Sequence, residues 1–177
     1  MTHFSCQMKK DKSPQGFYDP DIISLLDKIN AHQGRETTSS CSGRITLMKG
    51  TKKGAAVWVY KTHGQADWQE IYEIIQKELH DSDEEQLRFF YEPLIVHVKC
   101  GNLNKAEELL ATLLKNGFKK CRLISFKNFI IEINDTGSME TIVTMDLSKS
   151  YIQKLIFEAN RRLAETKENI KKIENLF

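Results

Sequence analysis

Apolar positions recur along the chain with two periods, and the switches between them mark out the elements. Ile22, Ile23, Leu25, Leu26 and Ile29 form an i, i+3, i+4 stripe that predicts a helix over "YDPDIISLLDKIN". Asp19 is placed to cap it, and Pro20 suits the first turn, where its missing N–H would be unpaired anyway. The polar stretch from His32 to Ser40 carries neither period and reads as a loop. "RITLMK" and "AAVWVYKT" are β-rich runs, and "GTKKG" between them suggests a hairpin. Strict alternation would put Trp58, Tyr60 and Thr62 on one face, with Val57, Val59, Lys61 and His63 on the other. "DWQEIYEIIQKELH" reads as a helix with Trp68, Ile71, Tyr72, Ile75 and Leu79 on one side, ended by the solvated loop "DSDEE". "LRFFYEPLIVHVKC" reads as one long strand, bulged or bent at Pro93, which cannot donate to a ladder.

The second half continues in the same manner. "NLNKAEELLATLLKNG" is a helix with Asn102 at its start and Gly117 at its C-terminal stop. "CRLISF" and "FIIEIN" pair about Lys127-Asn128, and "TIVTM" is a further short strand. From Ser148 onward, Ile152, Leu155, Ile156, Ala159, Leu163, Ile170 and Ile173 predict one long helix, its stripe interrupted near Thr166. Its charged faces carry Arg161, Arg162, Lys167, Lys171 and Lys172. "LIVHV" and "FIIEI" are apolar on both faces, so helices are expected to cover the sheet. The fold class is α+β (mixed α/β): a helix-covered mixed sheet with a long C-terminal helix. The glycine motif that follows the first strand of a Rossmann-type methyltransferase is absent, and so is a GxxxxGK[ST] phosphate loop. Residues 1–15 lack periodicity and are expected to be a flexible N-terminal arm, leaving residues 16–177 as a single domain.

Composition narrows the partners. The 177 residues are 40% hydrophobic and 28% charged, enough for a sizeable core. A formal net charge of +2 argues against a strongly basic nucleic-acid coater but leaves room for a local basic patch. No apolar run approaches the roughly 20 residues of a membrane span, and the polar N-terminus lacks a signal-peptide core. A cytoplasmic protein with no membrane partner is expected. The four cysteines form no CxxC pair and no CxxxCxxC pattern, so free thiols in a reducing compartment and no metal are expected.

Candidate chemistry concentrates in "TTSSCSGR", Thr37 to Arg44. Backbone N–H groups near a glycine, flanked by hydroxyls, can surround a phosphate or carboxylate, and Arg44 adds a planar charged fork. The competing reading is a loop whose serines bond their own backbone. Cys41 would be a nucleophile only beside a base or a positive group, such as His63 or His97, and no protease-type signature surrounds it. Trp58, near Lys49, Lys52 and Lys53, could stack a base. Glu92 precedes the expected bend, and His97 shares a strand face with Ile95 and Lys99. Histidine is the residue type best suited to moving a proton near neutral pH.

"KINAHQGRETTSSCSGRITLM", "KKGAAVWVYKTH" and "FFYEPLIVHVKC", taken together, resemble the tRNA wybutosine-synthesising protein 3 family. "SPQGFYDPDIISLLDKIN", "AEELLATLLKNGFK" and "ANRRLAETKENIKKIENLF" extend the resemblance over nearly the whole chain from about Ser13. The family's Arg-x-Ser-Gly-like run after Gly-Phe is replaced by Lys119, Lys120, Cys121 and Arg122, and no role is expected there. The resemblance implies an S-adenosyl-L-methionine-dependent tRNA methyltransferase without the usual methyltransferase fold. Its substrate would be tRNA-Phe carrying the wybutosine precursor 7-aminocarboxypropyl-demethylwyosine, methylated on N4 next to the anticodon. Ser39, Ser40, Ser42, Gly43 and Arg44 would then hold the cofactor's carboxylate or a tRNA phosphate. Trp58 and Lys53 would face the substrate. His63, His97 or Glu92 would take the ring proton, the choice staying open, and a Glu92–Arg44 pair would make both of those residues structural. The alternatives are a non-catalytic RNA-binding module using the same basic and aromatic residues, and a Cys/His hydrolase using Cys41.

Overall fold

The computed structural model describes residues 19–50, 56–80 and 86–177. The expected N-terminal arm, Lys53 with the "GTKKG" turn, and the "DSDEE" loop lie outside those residues. In chain order the elements are α1 (Pro20–Ala31), β1 (Arg35–Cys41), β2 (Arg44–Lys49), β3 (Val57–Thr62), α2 (Trp68–His80), β4 (Leu87–Glu92), β5 (Ile95–Cys100), α3 (Leu103–Lys115), β6 (Arg122–Ser125), β7 (Ile130–Asn134), β8 (Met139–Val143) and α4 (Lys149–Glu174). They fall into two compact units. The first takes Met1–Ser42, Leu94–Thr136 and Lys167–Phe177; the second takes Gly43–Pro93 and Gly137–Thr166.

The first unit holds a four-stranded sheet in the order β1-β5-β7-β6, every neighbour antiparallel. Asp19 caps α1 as its position predicts, accepting from the Asp21 N–H at 3.3 Å. Ile22, Leu25, Leu26 and Ile29 of α1 meet Val96, Val98, Ile131 and Ile133 of the sheet, Leu109 and Leu113 of α3, and Ile170 and Ile173 of α4. The polar stretch expected to be a loop is the strand β1. Its residues have little strand propensity, but pairing with β5 supplies the ladder, and tertiary context overrides propensity. Asn30 secures the entry to β1: its side chain accepts from the Thr37 N–H at 2.8 Å and donates to the Thr37 hydroxyl at 2.9 Å. The helices of this core pack against one sheet face only. The opposite face carries Ile95, His97 and Lys99, so the double-sided covering expected from "LIVHV" is not made by this unit's helices.

The second unit holds another four-stranded antiparallel sheet, in the order β3-β2-β4-β8. Ile45, Leu47, Leu87, Phe89, Tyr91 and Val143 pack on Ile71 and Ile75 of α2 and on Ile152, Ile156, Ala159 and Leu163 of α4. Trp58 and Tyr60 do not share a face as alternation predicts. A register shift pairs Met48 with Trp58 but Leu47 with Tyr60, so the two rings point to opposite sides. The strand expected to run through Pro93 is also two strands, β4 in this sheet and β5 in the first unit's sheet. A residue without an N–H sits where the ladder stops. With every described pairing antiparallel, the parallel doubly wound sheet is excluded and the α+β class with its long last helix holds.

The interruption in the α4 stripe is filled by a polar residue with a partner. Thr166 is buried, and its hydroxyl lies 2.8 Å from Tyr91 Oη, which donates to the Arg162 carbonyl at 3.0 Å. Tyr91→Phe removes this link from a closed core. Unfolding should then occur at lower denaturant, by about 1–2 kcal/mol of stability with an unchanged m-value, measured by urea titration.

Candidate functional site

Strand geometry disperses the hydroxyls of "TTSSCSGR". Ser39 stands opposite His97 and shares its sheet face, exposed. Ser40 stands opposite Val96, and its buried Oγ has no hydrogen-bond partner among the described residues. Cys41 returns to the face of Ser39, opposite Ile95. Ser42 is 0% exposed; its hydroxyl donates to the Asp19 carboxylate and accepts from Lys167 Nζ at 2.5 Å. Lys167 Nζ also lies 2.8 Å from Asp21 Oδ2 and 3.7 Å from Asp19 Oδ2. Asp19 therefore does two jobs, capping α1 with one oxygen and holding Ser42 with the other. The sequence signals only the cap, because Ser42 and Lys167 are far away along the chain.

On the same face as Ser39, His97 Nε2 lies 3.1 Å from Glu132 Oε2. Arg122 Nη2 lies 2.8 Å from the other Glu132 oxygen, an ion pair without hydrogen-bond geometry. His97, Glu132 and Arg122 are register partners across β5, β7 and β6. Glu132 and Arg122 carry no signal in the sequence beyond a lone carboxylate within the apolar run "FIIEIN" and a charge after the Lys-Lys-Cys segment.

The second unit holds the rest. Gly43 has φ +94°, a left-handed conformation that side chains rarely adopt. A Cβ there would come within 3.1 Å of Thr166 Cγ2, 3.2 Å of the Glu92 carbonyl oxygen and 3.3 Å of Leu163 Cδ1. Next to it, Arg44 grips Glu92 with both ends of its fork, Nε–Oε2 at 2.5 Å and Nη2–Oε1 at 3.2 Å. The two residues are direct cross-strand partners, so the pair that would give both a structural role is formed. The Arg44 guanidinium also lies 4.7 Å from the Trp58 ring centroid, and Lys61 Nζ lies 4.8 Å from it, on a ring 46% exposed. His63 sits just beyond the end of β3, half-buried. A cavity of about 410 Å³ in this unit, lined by Ala66, Trp68, Ile156, Phe157 and Asn160 among others, contains none of the expected site residues. Among the described residues no three His, Cys, Asp or Glu side chains gather as a metal site, and no helix is long and apolar enough to cross a membrane.

Two antiparallel sheets are unlike a parallel nucleotide-binding sheet, and the class is a methyltransferase family. The chain belongs to the family described as Methyltransferase TYW3, which matches residues 2–177. It is 36% identical to a Thermococcus sibiricus protein named tRNA(Phe) 7-((3-amino-3-carboxypropyl)-4-demethylwyosine(37)-N(4))-methyltransferase, over 98% of this chain and 93% of that one. It is 34% identical to the Arabidopsis thaliana tRNA wybutosine-synthesizing protein 2/3/4, over 86% of this chain but only 18% of that longer protein. Its fold is similar to the PH1069 protein from Pyrococcus horikoshii, with a TM-score of 0.79 at 33% identity, over 91% of this chain and 86% of that one. A hypothetical protein from Aeropyrum pernix follows at TM-score 0.72 and 27% identity, over 89% and 98% of the two chains.

Two outcomes test this local structure. Gly43→Ala forces a Cβ into a left-handed, closely packed position and should destabilise the fold by more than about 1 kcal/mol, seen as a lower melting temperature. Burial pushes the Cys100 and Cys121 thiols up from their ordinary value. The folded protein therefore keeps these protons to higher pH than the unfolded chain, and the stability these groups contribute declines as pH rises past the ordinary thiol range. At pH 8.5, alkylation followed by peptide mass spectrometry should label both slowly in native protein and quickly in denaturant.

Proposed function

We propose that this protein is a cytoplasmic S-adenosyl-L-methionine-dependent methyltransferase that methylates N4 of 7-aminocarboxypropyl-demethylwyosine, next to the anticodon of tRNA-Phe. The observation that carries the reading is the likeness, along almost the full chain, to the Thermococcus sibiricus protein named for that reaction. Because the family match runs through both units, residues 16–177 are taken as one functional domain.

The side chains present suit the cofactor. Ser40 Oγ is a buried polar atom in want of a partner, and Ser39 offers an exposed hydroxyl on the neighbouring position. The Gly43 backbone and the Arg44 charge are assigned to its carboxylate, which would compete with Glu92 for the guanidinium; Ser39 and Ser40 lie on opposite faces of β1, so at most one of them can join a given ligand group. Ser42, already held by Asp19 and Lys167, shapes the segment. The cofactor supplies an activated methyl group; the chain supplies position, charge and a proton acceptor. Trp58 is assigned to stacking on an unstacked anticodon-loop base, and Lys61 and Lys53 to the tRNA backbone. Of the three candidates for the base, His97 is preferred. Both Glu92 oxygens are engaged by Arg44, whereas His97 shares a sheet face with the exposed Ser39 and has its own carboxylate partner.

The test is transfer of labelled methyl from S-adenosyl-L-methionine to tRNA-Phe carrying the unmethylated precursor. Arg44→Ala should lower transfer at least tenfold, about 1.4 kcal/mol of transition-state stabilisation. Losing the Glu92 and Trp58 contacts should lower its melting temperature by only a few degrees, since Glu92 and the ring are both partly exposed. A lower melting temperature with full activity per folded molecule would reduce Arg44 to a structural role. Calorimetry with the cofactor alone separates an enzyme from an RNA-binding module, which would show no heat of binding.

A further inference from the structure

We propose that Glu132 is the positioning residue for His97: it holds the imidazole with its proton on Nε2 and leaves the Nδ1 lone pair as the base for the substrate's ring proton. The inference rests on the reading of His97 as that base.

Glu132 is out of place by every rule of stability. It is the one charged side chain in "FIIEIN", it is 7% exposed, and its strand neighbours Ile131 and Ile133 are core residues. A nearly buried carboxylate loses hydration that its ion pairs only partly replace. Glu132 has instead been given two partners, one on each neighbouring strand. On β6, Arg122 lies against one oxygen at 2.8 Å; its own side chain is 69% exposed, so it is a tether reaching in from solvent. On β5, His97 lies against the other oxygen at 3.1 Å. With one oxygen engaged by Arg122 and the strand register fixing the backbone, the second oxygen is aimed at one ring atom.

The chemistry of that contact decides the tautomer. An ionised carboxylate can only accept, so the imidazole must donate from Nε2. A neutral imidazole has one N–H, and the acceptor lone pair then resides on Nδ1. Around the ring, the same sheet face carries Ser39 opposite, Ile95 and Lys99 two residues either way on β5, and Glu132 with Arg122 beyond it. When N4 is methylated, its proton passes to Nδ1, the N4 electron pair forms the new bond to carbon, and the bond from that carbon to sulfur breaks with its pair kept by sulfur. The imidazolium that results faces the Glu132 carboxylate, which stabilises the charge as it forms.

The experiment uses the full chain and needs two readouts. Histidine ¹⁵N spectra of wild-type protein in mildly alkaline buffer should show His97 with a protonated Nε2 and a pyridine-type Nδ1. A predominant Nδ1–H tautomer overturns the proposal whatever the activity data say, and this measurement stands even if a variant misfolds. In methyl transfer to precursor-bearing tRNA-Phe, Glu132→Gln should lower kcat at least tenfold with KM for the tRNA within about twofold, and Glu132→Asp should restore part of the loss. A wild-type kcat for Glu132→Gln, with His97→Gln inactive, leaves His97 as the base and reduces Glu132 to a strand tie. Full activity of His97→Gln removes the base assignment itself, and the role of Glu132 with it.

Discussion

The structure depends on two constraints at adjacent residues, Ser42 and Gly43. There the chain passes from the first unit to the second, and each side is constrained by different chemistry. Ser42 is buried and held by a negative and a positive partner at once, so turning its side chain breaks two charge-assisted hydrogen bonds. Gly43 occupies a left-handed conformation with backbone and side-chain atoms crowded where a Cβ would be. The Ser42 hydrogen bonds hold the end of β1 to Asp19 and Lys167 within the first unit, and the left-handed Gly43 lets the chain begin β2 close to Glu92 and Leu163 within the second.

The polar groups fall into three kinds of arrangement. The Ser42–Asp19–Lys167 cluster is fully engaged and holds geometry. The Arg44–Glu92 fork is engaged in a partly exposed place, where a charged ligand can compete for it. Ser40 Oγ and the exposed Ser39 hydroxyl are the less committed donors, and His97 pairs with Glu132 on the same face as Ser39. Such a division suits a reaction in which the cofactor brings the reactive group and the protein brings orientation and a destination for one proton.

Much of the fold was legible in the chain itself. The four helices follow from 3.6-period stripes and their caps, because a helix is decided by residues three and four apart. Asp19, Asn102 and Gly117 stand where capping chemistry puts them. The segments around Arg44, Trp58, Glu92 and His97 also declared the family, since their spacing along the chain is itself the signal.

Tertiary structure decided the facts that depend on register. β1 became a strand because β5 offered it a ladder, against the preference of its own polar residues. Trp58 and Tyr60 parted company through one register shift, Pro93 divided one apparent strand between two sheets, and Glu92 met Arg44 across a pair of strands. Glu132 met His97 from a segment 35 residues further along. A strand's neighbours are chosen by hydrogen-bond register with distant segments, and a shift of one residue exchanges the faces of every side chain. Local sequence therefore determined which elements form and which residues are chemically able to act. Only the pairing of those elements determined which of those residues touch.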